Sequence, residues 1–138
     1  MYRHILIPTD GSELAERGVA HGLALAKSLG ARVSVIFVLE AFSEMTGRFL
    51  EAVATYAELR KEQVKSVLDR AANAAAKAGI SCETIQAEGG QPHQAIIAAA
   101  EDKGCDLIVM SSHGRSGLSM LLIGSVTNKV LTQAKIPV

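Results

Sequence analysis

The chain has 138 residues, of which 49% are hydrophobic and only 4% aromatic, and it has no tryptophan. This length suits a single domain whose core is built mainly of alanine, valine, isoleucine and leucine. Fourteen basic and fourteen acidic residues give a formal net charge of zero, so charge favours neither nucleic acid nor an anionic membrane surface as a partner. No apolar run approaches the roughly 20 residues of a membrane span, and the amino terminus leads into a strand without a signal-peptide pattern. We expect one domain over residues 1–138, located in the cytoplasm, with no membrane insertion.

Strand patterns alternate with helix patterns along the whole chain. In chain order they are a strand at residues 2–8, a helix that starts after Ser12 and ends at Gly30, a strand at 32–39, a loop at 40–48, a helix at 49–77, a strand at 80–87, a helix at 93–103 after Pro92, a strand at 105–111, a helix at 125–134 and the start of a strand at 136–138. The first strand contains the unbroken apolar run His4-Ile5-Leu6-Ile7, which is typical of a central strand in a parallel sheet.

This alternation predicts an α/β fold. Its connections are long enough for right-handed crossovers, so we expect one doubly wound, Rossmann-like parallel sheet of five strands, with helices on both faces. If the strand order is 3-2-1-4-5, the order reverses between strands 1 and 4, and ligands of such sheets bind outside the carboxyl ends of the strands at that point. Asp10, which follows strand 1, is then expected opposite the loop that follows strand 4.

The cysteines and most histidines indicate no catalytic or metal chemistry. Cys82 and Cys105 are too few for a disulfide framework, and each begins a predicted strand, so we expect two buried, reduced thiols. Strands 3 and 4 are not neighbours in the order above, which argues against a bond between the two thiols. His4, His21 and His93 are dispersed, without the spacing of metal ligands.

The loop between the fourth strand and the last helix is rich in glycine and serine. It reads Ser111-Ser112-His113-Gly114-Arg115-Ser116-Gly117-Leu118-Ser119-Met120-Leu121-Leu122-Ile123-Gly124-Ser125. Its glycines let backbone N–H groups approach a ligand closely, and the helix start at Gly124-Ser125 is suited to an anion, phosphate above all. The chain has neither a P-loop nor a G-x-G-x-x-G fingerprint. An ordinary strand-to-helix connection is the alternative interpretation.

The same loop resembles the signature of the universal stress protein family, G-x2-G-x9-G-[ST]. Gly114 takes the place of the second glycine, residues 115–123 form the spacer, and Gly124-Ser125 match the closing pair. Ser111 stands where the signature has its first glycine. The beginning of the chain, Ile5-Leu6-Ile7-Pro8-Thr9-Asp10-Gly11-Ser12, and its end from Gly124 onwards are similar to the family as well, so the resemblance covers nearly the whole chain.

The resemblance implies a site for ATP with Mg²⁺. The Asp10 carboxylate would lie near the ribose hydroxyls or the metal ion carried by the nucleotide, and the main chain of Val38 would meet the adenine edge. Loop amides and the Ser125 hydroxyl would hold ribose and phosphates, and Arg115 could reach a terminal phosphate. The full set of expected binding residues is Pro8, Thr9, Asp10, Val38, Ser111, Gly114, Arg115, Gly117, Gly124, Ser125, Val126 and Thr127.

Several of these residues have a second interpretation. Asp10 could simply bond its own turn, Arg115 could face solvent, and the hydroxymethyl group of Ser111 could either crowd the nucleotide or donate a hydrogen bond to it. His113 lies beside Ser112, but no G-x-S-x-G motif supports a Ser-His-Asp hydrolase.

Three functions remain open at this point. The first is an ATP-binding regulatory module of the stress response that hydrolyses ATP slowly at most, and whose client protein the sequence does not reveal. The second is a dimeric interaction module of the same fold with an empty cleft. The third is a phosphoryl-transfer enzyme, which lacks a P-loop lysine and an evident base. The resemblance also implies a homodimer that forms through the terminal strand, since an exposed edge strand favours such pairing.

Overall fold

The computed structural model of the chain describes residues 1–39, 50–113 and 123–138. In these ranges the elements are β1 (His4–Thr9), α1 (Glu13–Leu29), β2 (Arg32–Leu39), α2 (Leu50–Lys77), β3 (Cys82–Glu88), α3 (Pro92–Lys103), β4 (Leu107–Ile108) and α4 (Ser125–Gln133). The predicted alternation of strands and helices is confirmed, and β2 has the predicted bounds. The predicted loop at residues 40–48 lies outside the described residues.

The strands form one parallel sheet in the order β3-β2-β1-β4. β1 is interior, and all of its residues are buried, as its apolar run predicts. Side chains alternate between the two faces of a strand, so each face has its own core. Ile5 and Phe37 pack with buried residues of α1 and α2, whereas Leu6 and Ile36 pack with those of α3 and α4. Helices therefore cover both faces, as expected.

The prediction of a fifth strand is wrong for the described residues, in which the sheet has four strands. The segment that was predicted as strand 5 does run beside β4, and the N–H of Ile108 donates to the carbonyl of Pro137 at 2.9 Å. Proline has no N–H group to donate in return. One bond is not a ladder, so the order is 3-2-1-4 rather than 3-2-1-4-5.

β4 is shorter than the strand predicted at residues 105–111. The backbone N–H groups of Arg3 and His4 donate to the carboxylate of Asp106, at 2.9 and 3.0 Å. Side-chain acceptors therefore take the place of backbone carbonyls at the beginning of this strand pair. The apolar pattern of the sequence carries no sign of such a substitution.

The ends of α1 follow the local chemistry of the sequence. Ser12 is the N-cap, and its side chain accepts a hydrogen bond from the N–H of Ala15 at 3.2 Å. Gly30 ends the helix in the left-handed conformation, at φ 68° and ψ 27°, which costs glycine little because it has no Cβ.

Both thiols are free, and Cys105 is buried as expected, but the expectation that Cys82 is buried is wrong, since it is only half-buried. Burial raises the pKa of the Cys105 thiol to about 11, which makes it a poor nucleophile at neutral pH. Cys82 begins β3 and Cys105 precedes β4, which are at opposite edges of the described sheet. Among the described helices, none combines the length and the hydropathy that crossing a bilayer requires.

Candidate functional site

The carboxyl ends of β1 and β4 lie side by side. Ile5 pairs with Leu107 and Leu6 with Ile108, and the N–H of Val109 donates to the carbonyl of Leu6 at 2.9 Å. The turn after β1 and the segment after β4 therefore leave the sheet at one edge. The strand order reverses between these two strands, which is the place where sheets of this kind bind ligands.

The turn after β1 is held by its own side chains. The Thr9 hydroxyl accepts a hydrogen bond from the N–H of Gly11 at 3.2 Å, and Oδ1 of Asp10 accepts one from the N–H of Ser12 at 2.9 Å. Gly11 has a φ of 78°, in the left-handed region that glycine adopts easily. Asp10 therefore does bond the backbone of its own turn. A carboxylate offers about four lone-pair positions, so this bond and a role towards a ligand are compatible.

The segment after β4 is tied to α4 by two hydrogen bonds. The N–H of Gly124 donates to the carbonyl of Ser112 at 2.7 Å. The hydroxyl of Thr127 donates to the carbonyl of Ser111 at 2.9 Å. These bonds hold the end of β4 against the first turn of α4.

The serine hydroxyls of this segment bond to His113. Oγ of Ser111 donates to the carbonyl of His113 at 2.8 Å, and Oγ of Ser112 lies 2.9 Å from Nδ1 of the same residue. The Ser111 hydroxyl is thus turned back into its own segment. Whether the Ser111 side chain crowds a ligand depends on this orientation of its hydroxyl.

Helices α1 and α4 begin differently, although both start at this edge. The first turn of α1 carries Glu13 and Glu16 in addition to the capping side chain of Ser12. The N-cap of α4 is Gly124, which makes no side-chain cap, and the first turn of α4 has no acidic residue. The positive end of α4 is therefore suited to an external anion. At α1, the side chains of the protein itself already interact with the positive end of the helix.

The other predicted site residues lie in β1, in β2, in the first turn of α4, or outside the described residues. Pro8 is buried in β1, and Val38 is half-buried at the end of β2. Val38 and Val126 pack against the same core cluster, on the α3 and α4 side of the sheet. Gly114, Arg115 and Gly117 lie outside the described residues.

No metal cluster accompanies the site in the ranges that the structure describes, where no three histidine, cysteine or acidic side chains lie close enough together to hold an ion. Asp10 is the single acidic residue that was predicted to approach a metal.

One residue of the site was missed by the sequence analysis. Gly18 lies on α1 against the segment after β4, so closely that a Cβ at this position would be 3.3 Å from the backbone nitrogen of Ser111. A glycine inside a helix costs about 1 kcal/mol relative to alanine. Two glycines one turn apart, Gly18 and Gly22, were the available signal of a close approach.

A second polar cluster lies at the amino ends of the strands, at the end of the sheet opposite to the candidate site. His4 is buried, with Nε2 at 2.8 Å from the Ser34 hydroxyl and Nδ1 at 3.1 Å from the carbonyl of Lys103. Burial lowers the pKa of His4, and the charge of Arg32 lowers it further. Burial opposes ionisation of Asp106 as well, but hydrogen bonds from backbone N–H groups lower its pKa.

Comparison with known proteins identifies the family. The sequence model of the universal stress protein family matches residues 1–138. A universal stress protein of Methanocaldococcus jannaschii is 36% identical, and the alignment covers 100% of this chain and 81% of that protein. Universal stress protein YxiE of Bacillus subtilis is 33% identical, with coverage of 100% and 97%.

Solved structures share the fold. Universal stress protein UspA from Lactobacillus plantarum has a TM-score of 0.86 at 20% identity, with 99% of this chain and 94% of that chain covered. A universal stress protein in complex with cAMP has a TM-score of 0.70 at 23% identity, and one from Archaeoglobus fulgidus in complex with dAMP has a TM-score of 0.68 at 22% identity. Both of these comparisons also cover 99% of this chain and 94% of the other. From the family match and its relatives, we conclude that the chain belongs to the universal stress protein family.

Proposed function

We propose that this protein is a regulatory module of the stress response that binds an adenine nucleotide, ATP with Mg²⁺, between the turn after β1 and the start of α4. Hydrolysis of the bound ATP would be slow at most. The observation that carries the proposal is the adjacency of β1 and β4, because it brings the Asp10 turn and the α4 amino terminus to one edge at the reversal of strand order.

The start of α4 fits a phosphate group. Gly124 offers its first-turn N–H groups no side-chain acceptor, and no carboxylate in that turn would repel an anion. An oxygen of a phosphate can accept these hydrogen bonds, and it also interacts favourably with the positive end of the helix. The Ser125 hydroxyl, exposed at the first position of α4, is a further donor.

Relatives of the same fold support an adenine nucleotide as the ligand class. The complexes with cAMP and with dAMP share an adenine base, a sugar and a single phosphate. ATP is the member of this class that the signature implies. Mg²⁺ would neutralise phosphate charge when bound, and Asp10 would help to orient the ion.

The remaining residue roles are also proposals. The main chain of Val38 would meet the adenine edge, and Pro8 and Thr9 would form the floor of the cleft. Thr127 and Val126 would contribute backbone N–H groups, since the hydroxyl of Thr127 already bonds to Ser111. The predicted contacts of Gly114, Arg115 and Gly117 belong to the same proposal.

The substitution Gly124→Asp tests the site without confusing loss of binding with loss of folding. At φ −58° and ψ 152°, the backbone of this N-cap position suits aspartate, which should stabilise α4 by about a few tenths of a kcal/mol relative to glycine. The new carboxylate would occupy the first-turn N–H groups and repel phosphate. We expect a higher free energy of unfolding in urea and a loss of Mg-ATP binding, the latter measured by calorimetry on protein stripped of nucleotide.

Asp10→Asn is the matched variant on the other side of the cleft. Its amide oxygen can keep the bond to the N–H of Ser12, so the turn should remain, while the negative charge towards the metal ion is lost. We expect weaker binding of Mg-ATP with a smaller effect on ATP in EDTA. Wild-type protein that releases no adenine nucleotide on denaturation and gives no heat with millimolar Mg-ATP would contradict the proposal and favour the interaction module with an empty cleft.

A homodimer is part of the proposal. β4 is the edge strand of the described sheet and meets the Pro137 segment through a single backbone bond, and an incompletely paired edge favours association with a second chain. Light scattering coupled to size exclusion should give twice the monomer mass. A monomer at all concentrations would count against dimerisation without touching nucleotide binding.

A further inference from the structure

Three contacts fix the position of the segment that follows β4. The carbonyl of Ser111 accepts the hydroxyl of Thr127, and the carbonyl of Ser112 accepts the N–H of Gly124. On the opposite side, Gly18 of α1 comes so close that a Cβ would lie 3.3 Å from the nitrogen of Ser111. The segment is thus held between α4, which bonds to it, and α1, which touches it.

The bond made by Thr127 is a tertiary contact. A threonine inside a helix usually bonds a carbonyl of the preceding turn, as Thr132 does with Asn128 and Lys129 at 3.0 and 3.2 Å. Thr127, which is only 8% exposed, lies in the first turn of α4, where no helical turn precedes it, and its hydroxyl donates to the carbonyl of Ser111 outside the helix.

The contact made by Gly18 joins one backbone to another. A Cβ on this residue would also lie 3.7 Å from the carbonyl carbon of Met110. Neither backbone can rotate out of the way, as the end of a side chain could. A larger residue at this position would therefore displace the end of β4 or tilt α1, and both elements border the cleft.

We propose that Thr127 and Gly18 are positioning residues that set where the amino terminus of α4 lies relative to the turn after β1, and thereby determine the affinity for the phosphate end of the nucleotide. The inference rests on the proposed function. The interaction of an anion with a helix dipole falls off within the first turn, so a small shift of α4 changes the binding of a phosphate. The nucleoside part, which meets other elements, should be affected less.

The Thr127 variants separate positioning from simple stability. Thr127→Val keeps the shape and removes the hydroxyl, Thr127→Ser keeps the hydroxyl, and Thr132→Val removes a comparable hydroxyl on the exposed side of the same helix. Binding of Mg-ATP and of adenosine is measured for each variant. We expect Thr127→Val to lower ATP affinity by roughly threefold to tenfold with little change for adenosine, whereas Thr127→Ser and Thr132→Val resemble the wild type.

The glycine variants test the contact with α1. Gly18→Ala should lower the affinity for ATP more than for adenosine. Gly22→Ala is the control, because the three atoms nearest to its Cβ would belong to the side chains of Ile7 and Val109, which can adjust, rather than to the backbone of Ser111. We expect Gly22→Ala to lower the urea midpoint while the ratio of ATP to adenosine affinity stays as in the wild type.

A measurement without nucleotide distinguishes this inference from the proposed function. Amide hydrogen exchange at Gly124 reports the bond to Ser112 directly, and it should be faster in Thr127→Val than in Thr132→Val. Equal losses of ATP and adenosine affinity in Thr127→Val, or unchanged exchange at Gly124, would overturn the inference. Wild-type protein that binds neither ATP nor adenosine would overturn the proposed function and the binding part of this inference. The hydrogen exchange of Gly124 would still decide whether Thr127 holds the segment that follows β4.

Discussion

The imidazole of His4 has a fixed proton arrangement because its two nitrogens meet different partners. The carbonyl of Lys103 can only accept, so Nδ1 carries the proton and donates to it, and Nε2 accepts the hydroxyl proton of Ser34. Ser34 is fully buried. A second proton, on Nε2, would therefore place two donors face to face unless the serine hydroxyl turned away from the ring.

This arrangement predicts a dependence of stability on pH. The pKa of His4 is lowered in the folded chain by burial and then by Arg32, against the opposing effects of the Lys103 carbonyl, Glu83 and Asp106. The unfolded chain therefore binds the proton first, and the stabilisation from neutral His4 is complete above about pH 6.5. It is lost as the pH falls through the lowered pKa of the folded state. Between pH 7 and pH 5, the free energy of unfolding of the wild type should decline.

His4→Asn is the informative variant, because its amide can still donate to the carbonyl of Lys103 but does not titrate. Its free energy of unfolding, measured in urea, should be lower than that of the wild type at pH 7 and should decline less towards pH 5. His21→Asn, at an exposed position on α1, is the control and should keep the wild-type slope. A His4→Asn slope equal to that of the wild type would show that His4 is not the titrating group.

At the scale of the element, α1 shows how far local chemistry determines a helix. Its N-cap and its terminal glycine are both where the sequence predicts them, because each depends on residues within one turn of itself. At the end of the helix, the N–H groups of Gly30 and Ala31 both donate to the carbonyl of Ala26. These bonds satisfy a carbonyl that the helix itself leaves without a partner.

Gly30→Ala should destabilise the protein for a conformational reason alone. A Cβ at Gly30 would meet no atom within 4 Å, so the cost comes from the left-handed backbone and should be about 1–2 kcal/mol. Gly30→Asn should lose less, because asparagine adopts this conformation more readily. Thermal or urea unfolding measures both, and an alanine variant as stable as the wild type would show that the helix end can rearrange.

At the scale of the whole molecule, stability depends on the two faces of the sheet rather than on surface charge. The described ion pairs join side chains that are at least 38% exposed, and such pairs contribute little. The apolar side chains of β1 alternate between the core shared with α1 and α2 and the core shared with α3 and α4. Because β1 packs against both layers of helices, we expect substitutions within β1 to affect the packing of both layers.

The sequence predicted what depends on periodicity and on short range. The alternation of patterns predicted the parallel sheet, and the expected strand order is confirmed through strand 4, so the turn after β1 and the end of β4 lie side by side as expected. What it missed joins residues that are far apart in the chain. Asp106 accepts the amide of Arg3 at a separation of 103 residues, and Gly18 meets Ser111. A motif describes the spacing of residues along the chain, and spacing carries no information on which distant backbone comes close.

The fifth strand shows the same limit in another form. Residues 136–138 were correctly placed beside β4, because their apolar character fits that position. Whether they form a ladder depends on which N–H groups face the neighbouring strand, and Pro137 offers none. A strand pattern predicts where a segment lies, and it does not show which backbone hydrogen bonds the segment makes.

The short bond between the N–H of Gly124 and the carbonyl of Ser112, at 2.7 Å, has a consequence for the tolerance of the chain to insertions. The eleven residues between them, 113–123, begin and end at one point of the structure. A loop whose ends are fixed independently of its length loses stability slowly as it grows, by about 0.6 kcal/mol for each doubling. An insertion of eleven glycine and serine residues after Gly117 should therefore lower the free energy of unfolding in urea by about that amount. A much larger loss would show that the segment itself supports the fold. The frame formed by β4 and α4 can thus carry segments of different length and chemistry, which would allow related chains to change what they recognise while they keep the same fold.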